Sequence, residues 1–169
     1  MYATAAQLAT RFDLQELAQI ALPDEHMGTG LTAALLEITI DADDRSAYTQ
    51  AEIDAADAAL AKINQVLTDA SGEIDAHLEA RYQLPLSTVP LKLEQVCCDL
   101  ARYLLYDDHA TDHINKRYDD AINYLRSVAK GQIKLGIDAG NGKPTEGENV
   151  VQFENGSNTF DRDDASDFI

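Results

Sequence analysis

Between positions 49 and 82 the chain keeps one apolar rhythm. Ile53, Ala56, Leu60, Ile63, Leu67, Ala70, Ile74 and Leu78 recur at steps of three and four, the spacing that aligns side chains along one stripe of an α-helix. Thr49-Gln50-Ala51-Glu52 opens the stretch as a capping box, in which a threonine oxygen and a glutamate three residues on satisfy backbone amides that the helix leaves unpaired. The spacing predicts one helix to about Tyr82, roughly 50 Å long at about 1.5 Å per residue. That is more than a compact domain of this size needs, so the helix is expected to span or project, with Gly72 as a weak point midway.

Shorter helices are expected around it. Thr4-Ala5-Ala6-Gln7 is another capping box, for a helix ending near Phe12. Leu14, Leu17, Ala18 and Ala21 share a face of a second helix, which Pro23 stops. Residues 23–48 read as an inserted loop or short elements: Met27-Gly28-Thr29-Gly30 signals a loop, 31–36 has a helical look, 37–40 an extended one, and Asp41, Asp43 and Asp44 a solvated turn. Pro85 and Pro90 must interrupt helix, and Pro90 then fits the first turn of the next one. Leu93, Val96, Cys97, Leu100, Ala101, Leu104 and Leu105 are its expected buried face, and the helix ends near Asp107 and Asp108. A last helix carries Ile114, Tyr118, Ala121, Ile122, Leu125, Val128 and Ala129 before Gly131, a left-handed stop. The expected fold is mainly α: a small helical bundle over 1–131 with one long helix and short N-terminal helices.

Residues 132–169 form an extended C-terminal arm, because glycines punctuate a polar stretch without helical period. Ile133, Leu135, Ile137, Val151, Phe153, Phe160 and Phe168 are apolar pieces that a purely solvating tail does not need. They are expected to dock on a partner or a neighbouring subunit, with packing on the chain's own domain as the alternative.

Thirty acidic residues face 13 basic ones, a formal charge of -17. Such a balance leaves few cations for phosphates, which argues against tight nucleic-acid binding and against anchoring on anionic lipid. No apolar run approaches the roughly 18 residues needed to cross a bilayer, and Met1-Tyr2-Ala3-Thr4 has no leader character. Cys97 and Cys98, adjacent in sequence, offer no disulfide framework. The expectation is a soluble intracellular protein with no membrane partner.

Chemistry is sparse. His109 and His113 would share a face if one helix ran through both, as a metal site requires, but no third ligand joins them. Asp41, Asp43 and Glu52 match three positions of a calcium loop, where Arg45 and Ser46 then break the pattern. Gly140-Asn141-Gly142-Lys143 resembles the end of a phosphate loop, with Pro144 in place of the hydroxyl residue. Cys97 and Cys98 lie in an apolar helical run and read as core hydrophobes, without catalytic activation. No enzyme, metal or cofactor is expected.

Three ordered stretches carry a likeness. The run 69–86, with Glu73-Ile74-Asp75 and Ala80-Arg81-Tyr82-Gln83-Leu84-Pro85, resembles the end of the long helix in the head-to-tail connector proteins of Mu-like tailed phages. Asp99-Leu100-Ala101-Arg102-Tyr103-Leu104 is similar to the next family segment, and Arg117-Tyr118-Asp119-Asp120-Ala121 with Ala129-Lys130-Gly131 to the third. The likeness covers most of 1–135; residues 23–48 are longer than the family usually has, and the tail matches loosely.

The resemblance implies a structural virion protein of the neck, made in the host cytoplasm, that binds below the portal as a ring of about twelve copies. It would link capsid to tail, meet a downstream neck or tail-terminator protein, and line the DNA passage without gripping DNA. The acid excess would then repel the passing backbone; general solubility is the simpler reading. Expected contacts are the arm residues named above together with Arg81, Tyr82, Arg102 and Arg117, scarce cations and an aromatic near helix ends. Equally, each arginine could pair with acids inside one subunit, and Tyr82 and Tyr103 could cap the core. Competing readings are an acidic helical protein-binding or assembly module without a ring, and a metal-dependent hydrolase built on His109 and His113.

Overall fold

A computed structural model describes residues 1–137 of the 169. Among them run six α-helices and no strand: α1 (Ala5–Arg11), α2 (Leu14–Ala21), α3 (Ala33–Asp41), α4 (Gln50–Leu78), α5 (Leu91–Tyr106) and α6 (Asp112–Ala129). Short 3-10 turns stand at Asp24–His26 and Asp107–His109.

Both expected capping boxes form. At Thr49 the backbone N–H donates to Glu52 Oε2 at 2.8 Å while the Thr49 hydroxyl accepts from Glu52 N at 3.4 Å. Thr4 and Gln7 make the same exchange at the head of α1. Such caps are each worth about 1 kcal/mol, so these helix starts are set locally.

The long helix ends at Leu78, four residues before Tyr82, and its 29 residues reach about 43 Å. It does not project. All five other helices pack against it, so α4 is the axis of the bundle. This burial also explains why one apolar stripe understates its contact: Ala55, Ala59, Val66 and Ser71 are buried in addition to Ile63, Leu67, Ala70, Ile74 and Leu78, while Ile53 and Leu60 are only half-buried. The small side chains let neighbouring backbones approach closely on a second side. Gly72 lies on the exposed side and the helix runs through it unbroken.

Residues 37–40, expected as extended, are helical instead. The Thr32 hydroxyl accepts from Leu35 N at 3.2 Å to start α3, and Leu35 and Leu36 lock it into the core. Ala42 closes it at a positive φ of 59°.

On α5, Leu104 departs from expectation: it is 38% exposed, whereas Cys98 and Asp99 are buried. Leu105 in the same turn is buried at 3% exposure, so Leu104 lies at the edge of the covered face, a boundary set by where the neighbouring helices stand and not by the wheel angle alone. In α6 the buried set is Ile114, Ala121, Ile122, Leu125 and Val128, with Tyr118 and Ala129 half-buried, and Gly131 stops the helix at φ 76°.

Candidate functional site

The expected contact residues divide between places inside the chain's own fold and one end of the bundle. Arg102 is inside. Its Nε and Nη2 donate to the two carboxylate oxygens of Glu16 at 2.7 and 2.8 Å, tying α5 to α2. The guanidinium also lies 4.6 Å from the Phe12 ring centroid, and Tyr106 donates to the same carboxylate at 2.8 Å. Burial and the Glu16 charge both raise the Tyr106 phenol above its ordinary range, so the cluster holds a neutral tyrosine beside a satisfied ion pair.

Arg117 reaches the buried Asp99 from α6, Nη1 to Oδ1 at 3.4 Å, beside the stacked rings of Tyr103 and Tyr118, 4.1 Å between centroids. Two of the named arginines therefore bind acids of the same chain, the alternative weighed for them above.

Arg81 and Tyr82 sit at the other end of α4. A Cβ placed on Gly131 would collide with the Arg81 guanidinium, so that side chain lies flat on the turn after α6. The Tyr82 hydroxyl accepts from Leu135 N at 3.3 Å. Leu135 is buried with the core and Ile137 packs against it, whereas Ile133 remains 37% exposed. The first part of the arm thus packs on its own domain through residue 137. Val151, Phe153, Phe160 and Phe168 lie outside the described residues.

The same end carries a feature that no single motif marks. Arg81, Lys92, Arg126, Lys130 and Lys134 stand on the loop after α4, the start of α5, the end of α6 and the turn beyond it, which Arg81 at Gly131 and Lys92 over Tyr124 hold at one end of the bundle. Among the described residues none of these five has a carboxylate partner, although Arg11, Arg45, Arg102 and Arg117 each do. Val89, Leu91 and Ile133 are exposed beside them. Part of this was legible in the chain: 124–137 contains three cations and no acid.

The opposite end holds an open groove of about 760 Å³ between the turn after α2 and the end of α5, lined by Ile20, Leu22, Met27, Lys62, Leu105 and His109 among others. His109 closes a 3-10 turn and His113 belongs to the first turn of α6, and Ala110 and Thr111 separate the two elements. They do not share one helix face, and no cluster of three metal-ligating side chains occurs among the described residues. Cys97 and Cys98 are buried; burial pushes both thiols up, Cys98 to about 12, the opposite of an activated nucleophile. No helix among the described residues is long and apolar enough to cross a membrane.

Comparison with known proteins adds the lineage. The family described as Bacteriophage Mu, Gp36 matches residues 2–153. The Mu-like prophage FluMu protein gp36 of Haemophilus influenzae is 41% identical over 109 residues, 64% of this chain and 77% of that protein. Gene product J of Escherichia phage Mu is 36% identical over 98 residues, 58% of this chain and 70% of that protein.

Proposed function

Because the chain belongs to the Bacteriophage Mu, Gp36 family, a phage structural lineage, we propose that it is the head-to-tail connector of the virion neck. In this reading the protein assembles below the portal as a closed ring of about twelve copies, receives the next neck or tail-terminator component on its far side, and needs no catalysis, metal or cofactor. It is made in the host cytoplasm and ends in the virion.

The observation that carries the reading is the family match over 2–153. The three connector-like stretches support it further, since they fall on the end of α4 with its following loop, on α5 and on α6, elements that pack directly on one another. A ring demands that one face of each copy meet a different face of the next. The open groove beside Asp24, Glu25 and Asp107 at one end of the bundle offers one such unsymmetrical face. The remaining acid excess would face the lumen and keep DNA from sticking.

The test is a phage in which this gene is silenced. Filled heads and finished tails that fail to join are expected, and purified protein should shift the portal to a larger ring in native mass measurements. Joined infectious particles in its absence would end the proposal. A neutral or positive lumen wall in the assembled ring would remove the DNA-repulsion part alone.

A further inference from the structure

We infer that the cationic end of the bundle is the docking surface for this chain's own C-terminal segment, residues 138–169. Three cross-contacts assemble that end: Arg81 lies on Gly131, Tyr82 accepts from Leu135 N at 3.3 Å, and Lys92 Nζ stands 5.3 Å from the Tyr124 ring. Arg81 and Lys92 make two of these contacts, Lys130 and Lys134 each adjoin a residue of one, and Arg126 stands in the last turn of α6 at the same end, in a protein whose formal charge is -17. Lys92, Arg126, Lys130 and Lys134 are exposed.

Helix electrostatics explains only part of the cluster. Arg126 and Lys130 near the end of α6 complement its dipole, but Lys92 stands in the first turn of α5, where a cation is unfavourable. In so acidic a chain, cations left without carboxylates call for an acidic partner. Leu91, 79% exposed, adjoins Lys92, and Ile133, 37% exposed, adjoins Lys134, so the surface alternates charge with apolar area.

Residues 138–169 match that chemistry. They hold eight carboxylates against Lys143 and Arg162, and they carry Val150, Val151, Phe153, Phe160 and Phe168. The described chain stops at Ile137, which is packed against the core at this same end. At about 3.3 Å per residue, Glu146 and every later carboxylate can reach the surface. Covalent attachment also supplies a high effective concentration, of millimolar order for short linkers, which favours the chain's own segment over any free acidic peptide. The inference does not depend on ring formation.

Zero-length carbodiimide cross-linking of the full chain, read by peptide mass spectrometry on the monomer band, tests it. Links from Lys92, Lys130 or Lys134 to Glu146, Glu148, Glu154, Asp161 or Asp163 are expected at low salt and should fade near about 0.5 M salt. The full-chain triple variant Lys92→Glu, Lys130→Glu, Lys134→Glu should keep its helical circular dichroism while amide exchange in 138–169 accelerates at least about tenfold. Absence of such links would overturn the inference, as would links confined to cross-linked dimers or exchange unchanged in the triple variant. Retention of a short DNA duplex by the parent but not by the triple variant would reassign the surface to phosphate and overturn it as well.

Discussion

Glu16 and Arg102 stand 86 residues apart in sequence and meet in a two-pronged ion pair that joins α2 to α5. The Glu16 side chain is 23% exposed and the Arg102 side chain 15%, so removing one partner strands a charge in a partly dry site. Arg102→Ala should lower unfolding free energy by about 2 kcal/mol. Arg102→Lys should recover little of it, because an ammonium cannot match both carboxylate oxygens. Urea unfolding monitored by circular dichroism measures both. A double variant with Glu16→Gln should cost less than the two single changes together; simple additivity would show that the pair is not coupled.

Two glycines should answer alanine in opposite ways. Gly72 lies on an exposed side of α4 with open space where a Cβ would go, so Gly72→Ala should stabilise by about 1 kcal/mol. Gly131 combines φ 76° with the Arg81 guanidinium in its Cβ position, so Gly131→Ala should destabilise by about 2 kcal/mol. Adding Arg81→Ala should return the steric share and leave the backbone share. Thermal melts of the four proteins separate these outcomes, and a neutral Gly131→Ala would contradict the packing described.

Asp107 joins α5 to the following turn at φ 49° and ψ -128°, a conformation that an L-residue holds at a cost of about 1–3 kcal/mol. Asp107→Gly should therefore raise stability by about 1 kcal/mol after the entropy that glycine adds to the unfolded chain. For a chain of this size that is an upward shift in Tm of roughly 3 °C. A lower Tm would mean that the carboxylate itself holds the junction.

Alkaline pH should weaken the fold. Burial, with the neighbouring Cys97 charge second, pushes the Cys98 thiol from 9.0 to about 12; burial also raises Cys97. Burial, then its hydrogen bond to Asp75, raises the Tyr2 phenol above its ordinary 10.0. Because each folded value exceeds the unfolded one, this stabilisation is complete below the unfolded value and is lost as pH climbs through the folded one. Tm should hold steady up to about pH 9 and fall between about 9 and 12. Cys98→Ala should make that fall shallower, whatever it does to stability at neutral pH; an identical slope would remove the thiol from the explanation.

The connector reading and the cationic-end inference can fail separately. Particles that join without the protein would remove the first and leave the cross-links between Lys130 or Lys134 and residues 146–163 unaffected. Missing cross-links would remove the second and leave the neck assignment standing.

Local chemistry alone was enough to place most of the helices. Thr4, Thr49 and Pro90 mark starts, Gly131 a stop, and the three-and-four spacing of Ile63, Leu67, Ala70, Ile74 and Leu78 a buried face, because caps and periodicity act within a few residues. Which further faces close depends on where other helices lie. The burial of Ala55, Ala59 and Val66, the exposure of Leu104, the Glu16–Arg102 pair and the seating of Leu135 under Tyr82 all come from contacts between elements far apart in the chain. The cationic end is of the same kind: its five charges are scattered over 81–134 in sequence and come to one end of the bundle only because α4 and α6 finish where α5 begins.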